Sequence, residues 1–374
     1  MKLAFVLYKY FPYGGLQRDM LRIAEACDAR GHRVVIYTMS WDGERPASMD
    51  VEVLSIKRVS SHARNHEFTR QLGERLAADP VDLVIGFNKM PGLDVYYAAD
   101  GCLREKLHRE RSWFARLAPR YRHFLGYERA VFAASSRTEI LMISPRQCEI
   151  YQHHYRTPDA RIHMLPPGIA RDRCADAQAD EKRKGFRREF TIADDEYLIL
   201  CIGSGFKTKG LDRSLRALAA LPEALRVKTR LIAIGEDNPA GFVDQAKRLG
   251  VDDRFTVLRG RDDIPAVLQG GDILLHPAYY ENTGTVLLEA VVAGLPVLTT
   301  EACGYAFHVG QAEAGRVLPL PFEQSALDAA LADMLMSPER ARWAENGIAY
   351  GKAHDLYHMP ELAADLIVQI GERP

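Results

Sequence analysis

A two-domain α/β architecture, each domain a doubly wound parallel sheet, is predicted by three features of the 374-residue sequence. Short apolar segments alternate with amphipathic ones along most of the chain. That alternation restarts once, at about Tyr197. Between the two series stands Pro166-Pro167-Gly168, where consecutive prolines stop both helix and sheet, followed by the polar stretch Asp172 to Lys184. The first domain is expected over residues 1–168 and the second from residue 169 onward.

The first series opens with Lys2–Tyr8 as a strand. Leu16–Arg30 then reads as a helix that buries Leu16, Met20, Ile23, Ala24 and Cys27, a stripe of 3.6-residue period, and stops at Gly31-His32. Strands are expected at Arg33–Thr38, Val51–Ile56, Asp82–Gly86 and Glu139–Ile143. The second series has strands at Tyr197–Ile202, Arg230–Ile234, Phe255–Leu258, Asp272–Leu275 and Val297–Thr300, and Pro360–Gly371 reads as a terminal helix. Ligands of open parallel sheets bind at the carboxyl ends of the strands, so a site in a cleft between two facing domains is expected.

Composition narrows the class. Hydrophobic residues make up 47% and charged residues 26%, as in ordinary globular proteins. No uncharged apolar run approaches the roughly 18 residues needed to span a bilayer. The N-terminus shows no signal-peptide layout. Six scattered cysteines (27, 102, 148, 174, 201 and 303) form no C-x-x-C pair, which reads as reduced thiols in a cytoplasmic protein. The net charge of −1 conceals 25 Lys and Arg against 19 acids in residues 1–168, and 24 against 31 beyond them. A basic first half points to a negatively charged partner or surface.

Three strand-to-helix loops carry the candidate chemistry. In YKYFPYGGLQR (8–18), Gly14 and Gly15 permit a tight turn whose helix-start amides can face an anion, although a plain turn fits equally. In GSGFKTKG (203–210), glycines including Gly203 accompany Lys207 and Lys209. Lysine at such a helix start can neutralise a departing diphosphate. The spacing is not that of a nucleotide-hydrolysing P-loop, and a solvated lysine pair is the alternative. In ENTGTVLLE (281–289), Glu281 precedes a helix that Asn282 or Thr283 can cap, and Glu289 lies within it. Eight residues at about 100° each leave the two acids on different faces. One acid can then meet a sugar and the other a ribose, with amides near Gly284 and Thr285 at the phosphates between them.

ENTGTVLLE resembles the E-x7-E motif of family 4 retaining glycosyltransferases of GT-B fold, which have two Rossmann-like domains facing across a cleft. YKYFPYGGLQRD, GFNKMPGLDVYYAAD, LPPGI, LLHPAY, LLEA, GLPVLTT and CGYA more closely resemble the lipopolysaccharide core glucosyltransferase I family. The resemblance runs from Lys2 to beyond Trp343. It implies transfer of glucose from UDP-glucose to an inner-core heptose of lipopolysaccharide through an α-1,3 linkage. Transfer would retain the anomeric configuration by a front-face route, without metal or cofactor.

By resemblance, Gly15 approaches the donor phosphates, Asp19 lies beside the sugar, and Asp100 stands where many relatives place a histidine. Arg173 and Lys209 hold the diphosphate, and Arg261 lies near the uracil. Glu281 binds sugar hydroxyls, Gly284 and Thr285 offer amides, and Glu289 holds the ribose. Thr208 replaces one residue of a usual basic pair, leaving Lys207 as its possible substitute. Asn282-Thr283 replace small apolar residues, which bears on donor choice. Resemblance also carries the terminal helix (about 358–374) back onto the first domain. The first domain then serves the acceptor, and residues 169–357 the nucleotide sugar.

Residues 103–129 hold eight basic and three acidic residues interleaved with aromatics. Arg104, Lys106, Arg109, Arg111, Trp113, Phe114, Arg116, Arg120 and Arg122 form a candidate contact with an anionic inner-membrane surface, on its cytoplasmic face. Pro119 is expected to divide this segment. An amphipathic helix packing its aromatics inward is the alternative. His62 and His66, and His153-His154, lack a third ligand, so no metal site is expected. No nucleic-acid-reading module is present. Competing functions are the same fold with UDP-galactose or a UDP-N-acetylhexosamine, a UDP-sugar 2-epimerase, and a non-catalytic sugar-nucleotide binder.

Overall fold

The computed structural model describes residues 1–12, 14–110 and 118–373. The chain divides into two compact units, residues 1–168 with 358–374, and residues 169–357.

The first unit contains β1 (Lys2–Val6), α1 (Gly15–Asp28), β2 (Arg33–Thr38), β3 (Asp50–Val53), α2 (Ser61–Ala78), β4 (Leu83–Gly86) and β5 (Val95–Ala98). These are followed by α3 (Leu103–Glu110), α4 (Pro119–Phe132), β6 (Glu139–Met142), α5 (Pro145–Tyr155) and β7 (Ile162–Met164). The sheet is parallel in the order β3-β2-β1-β4-β5-β6-β7. Every residue of β4 and β5 is buried, as expected of parallel strands covered on both faces. One face packs Met20, Ile23, Ala24 and Cys27 of α1 against β1 and β2. Gln17, not Leu16, takes the inward position in the first turn of α1, where its amide donates to the Lys9 carbonyl at 3.0 Å. Leu16 is only half-buried.

The second unit contains α6 (Ala179–Glu189), β8 (Tyr197–Ile202), α7 (Leu211–Ala220), α8 (Glu223–Arg226), β9 (Thr229–Ile234), α9 (Ala240–Leu249), β10 (Phe255–Leu258) and α10 (Ile264–Gly270). Then come β11 (Ile273–His276), α11 (Thr285–Val292), β12 (Val297–Thr300), α12 (Ala306–Gln311), β13 (Gly315–Leu318), α13 (Gln324–Met336) and α14 (Arg340–Ala353). Its parallel sheet runs β10-β9-β8-β11-β12-β13. Helix α15 (Met359–Gly371) completes the first unit, placing Met359, Ala363, Ala364 and Ile367 in the α1 core. Arg30, two residues beyond the end of α1, bonds Asp365 of α15 at 2.8 Å.

Strand order positions the loops. β1 has β2 on one side and β4 on the other, and β8 likewise has β9 and β11. Each is a topological switch point, where successive crossovers leave in opposite directions and open a crevice at the strand ends. The loops after β8 and β11 are therefore neighbours, although about seventy residues separate them.

Candidate active site

In the second unit, the glycine-rich loop after β8 meets the Glu281 loop after β11. Gly203 has φ +113°, and a Cβ there would lie 2.8 Å from Lys209 Cε. Glycine thus lets the lysine stem lie across the loop. Lys209 Nζ donates to Glu281 Oε2 at 2.6 Å. The amides of Gly205 and Phe206 donate to the Asp237 carboxylate, so an acidic side chain from beyond β9 occupies these donors. Lys207 is bound to Asp212 at 2.9 Å and donates to Tyr279 Oη at 3.4 Å, with its ammonium over the Tyr279 ring. It braces the two loops and takes a course different from that of Lys209.

Glu281 is not part of the following helix. Its amide donates to Ala302 O at 3.2 Å and its carbonyl accepts from Gly304 at 3.1 Å, forming an isolated bridge with Cys303. The helical rotation applied to the 281–289 spacing is therefore corrected, because only Glu289 lies in α11. The N-cap of α11 is Gly284 (φ +81°), without a side-chain cap, so neither Asn282 nor Thr283 caps the helix. Thr285 begins it, and amides of a first turn have no acceptor within their own helix. The Thr283 carbonyl accepts from Tyr305 at 2.6 Å. Cys303-Gly304-Tyr305 thus buttresses the 281–283 loop.

Two further groups surround these loops. His276, the last residue of β11, is 1% exposed, and its Nε2 stands 3.4 Å from Glu281 Oε2. Burial lowers its proton affinity, but Cys303 and Glu281 outweigh burial and raise it. Burial likewise opposes ionisation of Glu281, yet His276 and the Lys209 charge prevail and bring its carboxyl down to about 2. Buried Arg173 bonds Asp172 at 2.7 Å, and its Nε lies 3.7 Å from Glu289 Oε1 on buried α11. Arg261 is held by Glu189 at 2.8 Å and Asp263 at 2.7 Å.

In the first unit, Gly14 precedes α1, and a Cβ there would lie 1.9 Å from Gln17 Oε1, whereas one at Gly15 would meet nothing within 4 Å. Asp19 accepts from Tyr97 Oη of β5 at 2.8 Å. Asp100 is exposed just beyond β5, and its backbone carbonyl accepts from Tyr151 Oη at 2.9 Å. Glu128 is completely buried. It accepts from Lys89 at 2.7 Å, Tyr155 at 2.7 Å and the Leu103 and Arg104 amides at 2.7 and 3.0 Å, capping α3. Lys89 also donates to the Gly101 carbonyl at 2.8 Å, fixing the loop beside Asp100.

α3 ends at Glu110 and α4 begins at Pro119, its first residue. Arg104, Lys106, Arg120 and Arg122 are exposed, Arg109 lies in α3, and Arg111, Trp113, Phe114 and Arg116 lie outside the described residues. Arg104, Arg122, Arg129, His108 and His153 line a groove of about 780 Å³. No helix among the described residues is long and apolar enough to cross a membrane.

Sequence reasoning singled out neither His276, Asp237, Lys89 nor Glu128. The LLHPAY and GFNKMPGLDVYYAAD segments contained two of them, but only packing shows what they touch.

Two family models match the chain, Glycosyl transferases group 1 over residues 182–350 and Glycosyltransferase Family 4 over residues 13–173. The chain is 46% identical over 368 residues to the lipopolysaccharide glucosyltransferase WaaG of Escherichia coli (strain K12), covering 98% of each. It matches a crystal structure of WaaG, described as a glycosyltransferase involved in lipopolysaccharide biosynthesis. The TM-score is 0.96 at 45% identity, over 98% of this chain and 99% of that one. Anabaena Alr3699/HepE, crystallised with UDP-glucose, shares the fold, with a TM-score of 0.75 at 18% identity over 99% and 100% of the two chains.

Proposed function

We propose that this chain, which belongs to the lipopolysaccharide glucosyltransferase family of GT-B enzymes and is a hexosyltransferase, moves glucose from UDP-glucose to an inner-core heptose of lipopolysaccharide. The observation that carries this reading is the Lys209–Glu281 pair at the adjacent ends of β8 and β11. The lysine is read as the cation for a diphosphate and the adjacent glutamate as the carboxylate for sugar hydroxyls.

In this reading Glu281 accepts from the donor sugar, with Asn282 and Thr283 beside it. Glu289 accepts from the ribose, and Gly284 and Thr285 present amides to the phosphates. Lys209 and Arg173 stabilise charge on the departing diphosphate, and Arg261 lies toward the uracil. On the first unit, Gly15 leaves open space at the start of α1 and Asp19 accepts from Tyr97, which are the local features behind their assignment by family resemblance. Asp100, exposed just beyond β5, is assigned to the neighbourhood of the transferred sugar.

Transfer is assigned a front-face course that retains configuration and forms an α-1,3 linkage. The acceptor oxygen bonds to the anomeric carbon on the face that the diphosphate leaves. The anomeric carbon–oxygen bond breaks, and the acceptor proton passes to the departing phosphate oxygen. Catalysis is then mainly electrostatic stabilisation and positioning.

The exposed arginines and lysine of α3 and α4 support a peripheral contact with the anionic cytoplasmic face of the inner membrane, where a lipid-linked acceptor would lie. Assaying a panel of UDP-sugars with heptose-terminated core acceptor tests the reading. Product with UDP-glucose in preference to UDP-galactose and UDP-N-acetylhexosamines is expected. Product with another donor alone would overturn the donor assignment, and epimerisation without transfer would overturn the reaction.

A further inference from the structure

His276 closes β11 with its backbone fixed on both sides. Its carbonyl accepts from Thr299 Oγ1 and from the Ala278 amide, each at 3.0 Å, and it pairs in register with Thr299 of β12. With Cys201, Ile202, Phe206, Leu211, Leu275 and the lysine Lys209, it lines a small, mainly apolar cavity. In that apolar setting, Nε2 makes no hydrogen bond among the described residues and stands 3.4 Å from Glu281 Oε2.

A buried nitrogen without a hydrogen bond is unfavourable and uncommon in folded proteins. Here it is aimed at a single carboxylate oxygen, which already accepts from Lys209. A carboxylate has lone pairs on both oxygens. The Lys209 hydrogen bond and the approach of His276 Nε2 to 3.4 Å, both on Oε2, restrict the plane of the group and leave Oε1 for a further donor. Lysine alone cannot do this, because its ammonium sits on a flexible stem. A ring rooted in a strand can.

We infer that His276 is a positioning residue for donor-sugar recognition, holding Oε2 of Glu281 so that Oε1 is presented to a sugar hydroxyl. The inference rests on the reading that Glu281 binds the donor sugar. It assigns His276 no contact with the nucleotide, and that separates it from general support of the fold. The neutral tautomer with its proton on Nε2, or the protonated ring, supplies the needed donor.

Calorimetric titration of the full chain with UDP-glucose and, separately, with UDP tests the inference. H276L removes the donor at similar volume, and H276Q keeps an amide nitrogen near the Nε2 position. H276N keeps polarity, but its amide ends short of Glu281. The expected result is about tenfold weaker UDP-glucose binding for H276L and H276N, little change in UDP binding, and recovery of most affinity in H276Q. If H276L does not fold, the H276N and H276Q pair gives the same reading.

Unchanged UDP-glucose affinity in H276L or H276N would overturn the inference, as would equal losses for UDP and UDP-glucose. E281Q serves as the control for the underlying reading. If E281Q binds UDP-glucose as tightly as wild type, the Glu281 assignment itself fails. If E281Q is weakened while H276L and H276N are not, only the role of His276 fails.

Discussion

Lys209 and Glu281 lie 72 residues apart, yet the lysine Nζ donates to Oε2 of the glutamate at 2.6 Å. The pair forms because β8 and β11 are neighbours in a sheet whose order departs from chain order. Lys209→Ala or Glu281→Ala is expected to lower turnover about 100- to 1,000-fold while leaving the fold intact. The double variant should lose less than the product of the two, since each single change removes the same bond. Steady-state rates and thermal melts of all four proteins check this. Fully multiplicative losses would show that the pair acts as two independent groups.

The Glu281 carboxyl makes an acid-dependent contribution to stability. Its folded value of about 2 lies below the ordinary 4.5. A depressed carboxyl stabilises the fold fully above its unfolded value, and that contribution is lost as pH falls through the folded one. The shift corresponds to about 3 kcal/mol at most. In urea titrations the advantage of wild type over E281Q should be largest near pH 6 and shrink steadily below pH 5. A difference constant from pH 6 to pH 3 would contradict it.

Glu128 and Lys89 form a buried ion pair in the first unit, with Glu128 completely enclosed. Burial raises the glutamate's proton affinity, but Lys89, Tyr155 and the Leu103 amide overcome it, so the carboxyl is depressed overall. E128Q leaves the Lys89 charge without its anionic partner and keeps one acceptor oxygen where two serve the start of α3. A loss of about 3–5 kcal/mol is expected from denaturant unfolding at neutral pH. That penalty should diminish as acid protonates the wild-type carboxylate. A loss below about 1 kcal/mol would mean that water or rearrangement satisfies Lys89.

Exposed Arg104 and Arg122 carry the membrane reading. R104A and R122A should each weaken binding to vesicles containing anionic lipid about fivefold, with the double variant weaker still. Binding should also fall with added salt, as screened charge–charge attraction does. Co-sedimentation with anionic and with zwitterionic vesicles separates this from apolar adsorption. Equal binding to both lipid types would remove the electrostatic account.

If Lys209 and Arg173 supply the positive charge at the diphosphate, as proposed, turnover should survive thorough chelation. A loss restored by added magnesium or manganese would assign part of the phosphate stabilisation to a divalent ion.

Much of the architecture was legible in the sequence, and the misses have identifiable causes. β2, β8, β10 and β12 lie at the residues expected from their apolar runs. β7 and β13 are half-exposed edge strands with little apolar pattern, and neither was foreseen. β5 was also missed, four fully buried residues just after the turn signal Pro91-Gly92. In the site, Lys209, Glu281 and Glu289 were visible as residue types next to strand ends and glycines. Their partners were not.

The sequence by itself determined the alternation of strands and helices, the glycine-rich turns and the family motifs. These are written in local periodicity and backbone permissiveness, which act over a few residues. Tertiary structure alone decided that Glu281 stands in a loop bridged to Cys303, that Lys209 and His276 converge on its Oε2, and that Lys207 goes to Asp212. Those contacts depend on which strands lie side by side and on how burial alters the cost of each charge. No local pattern records either.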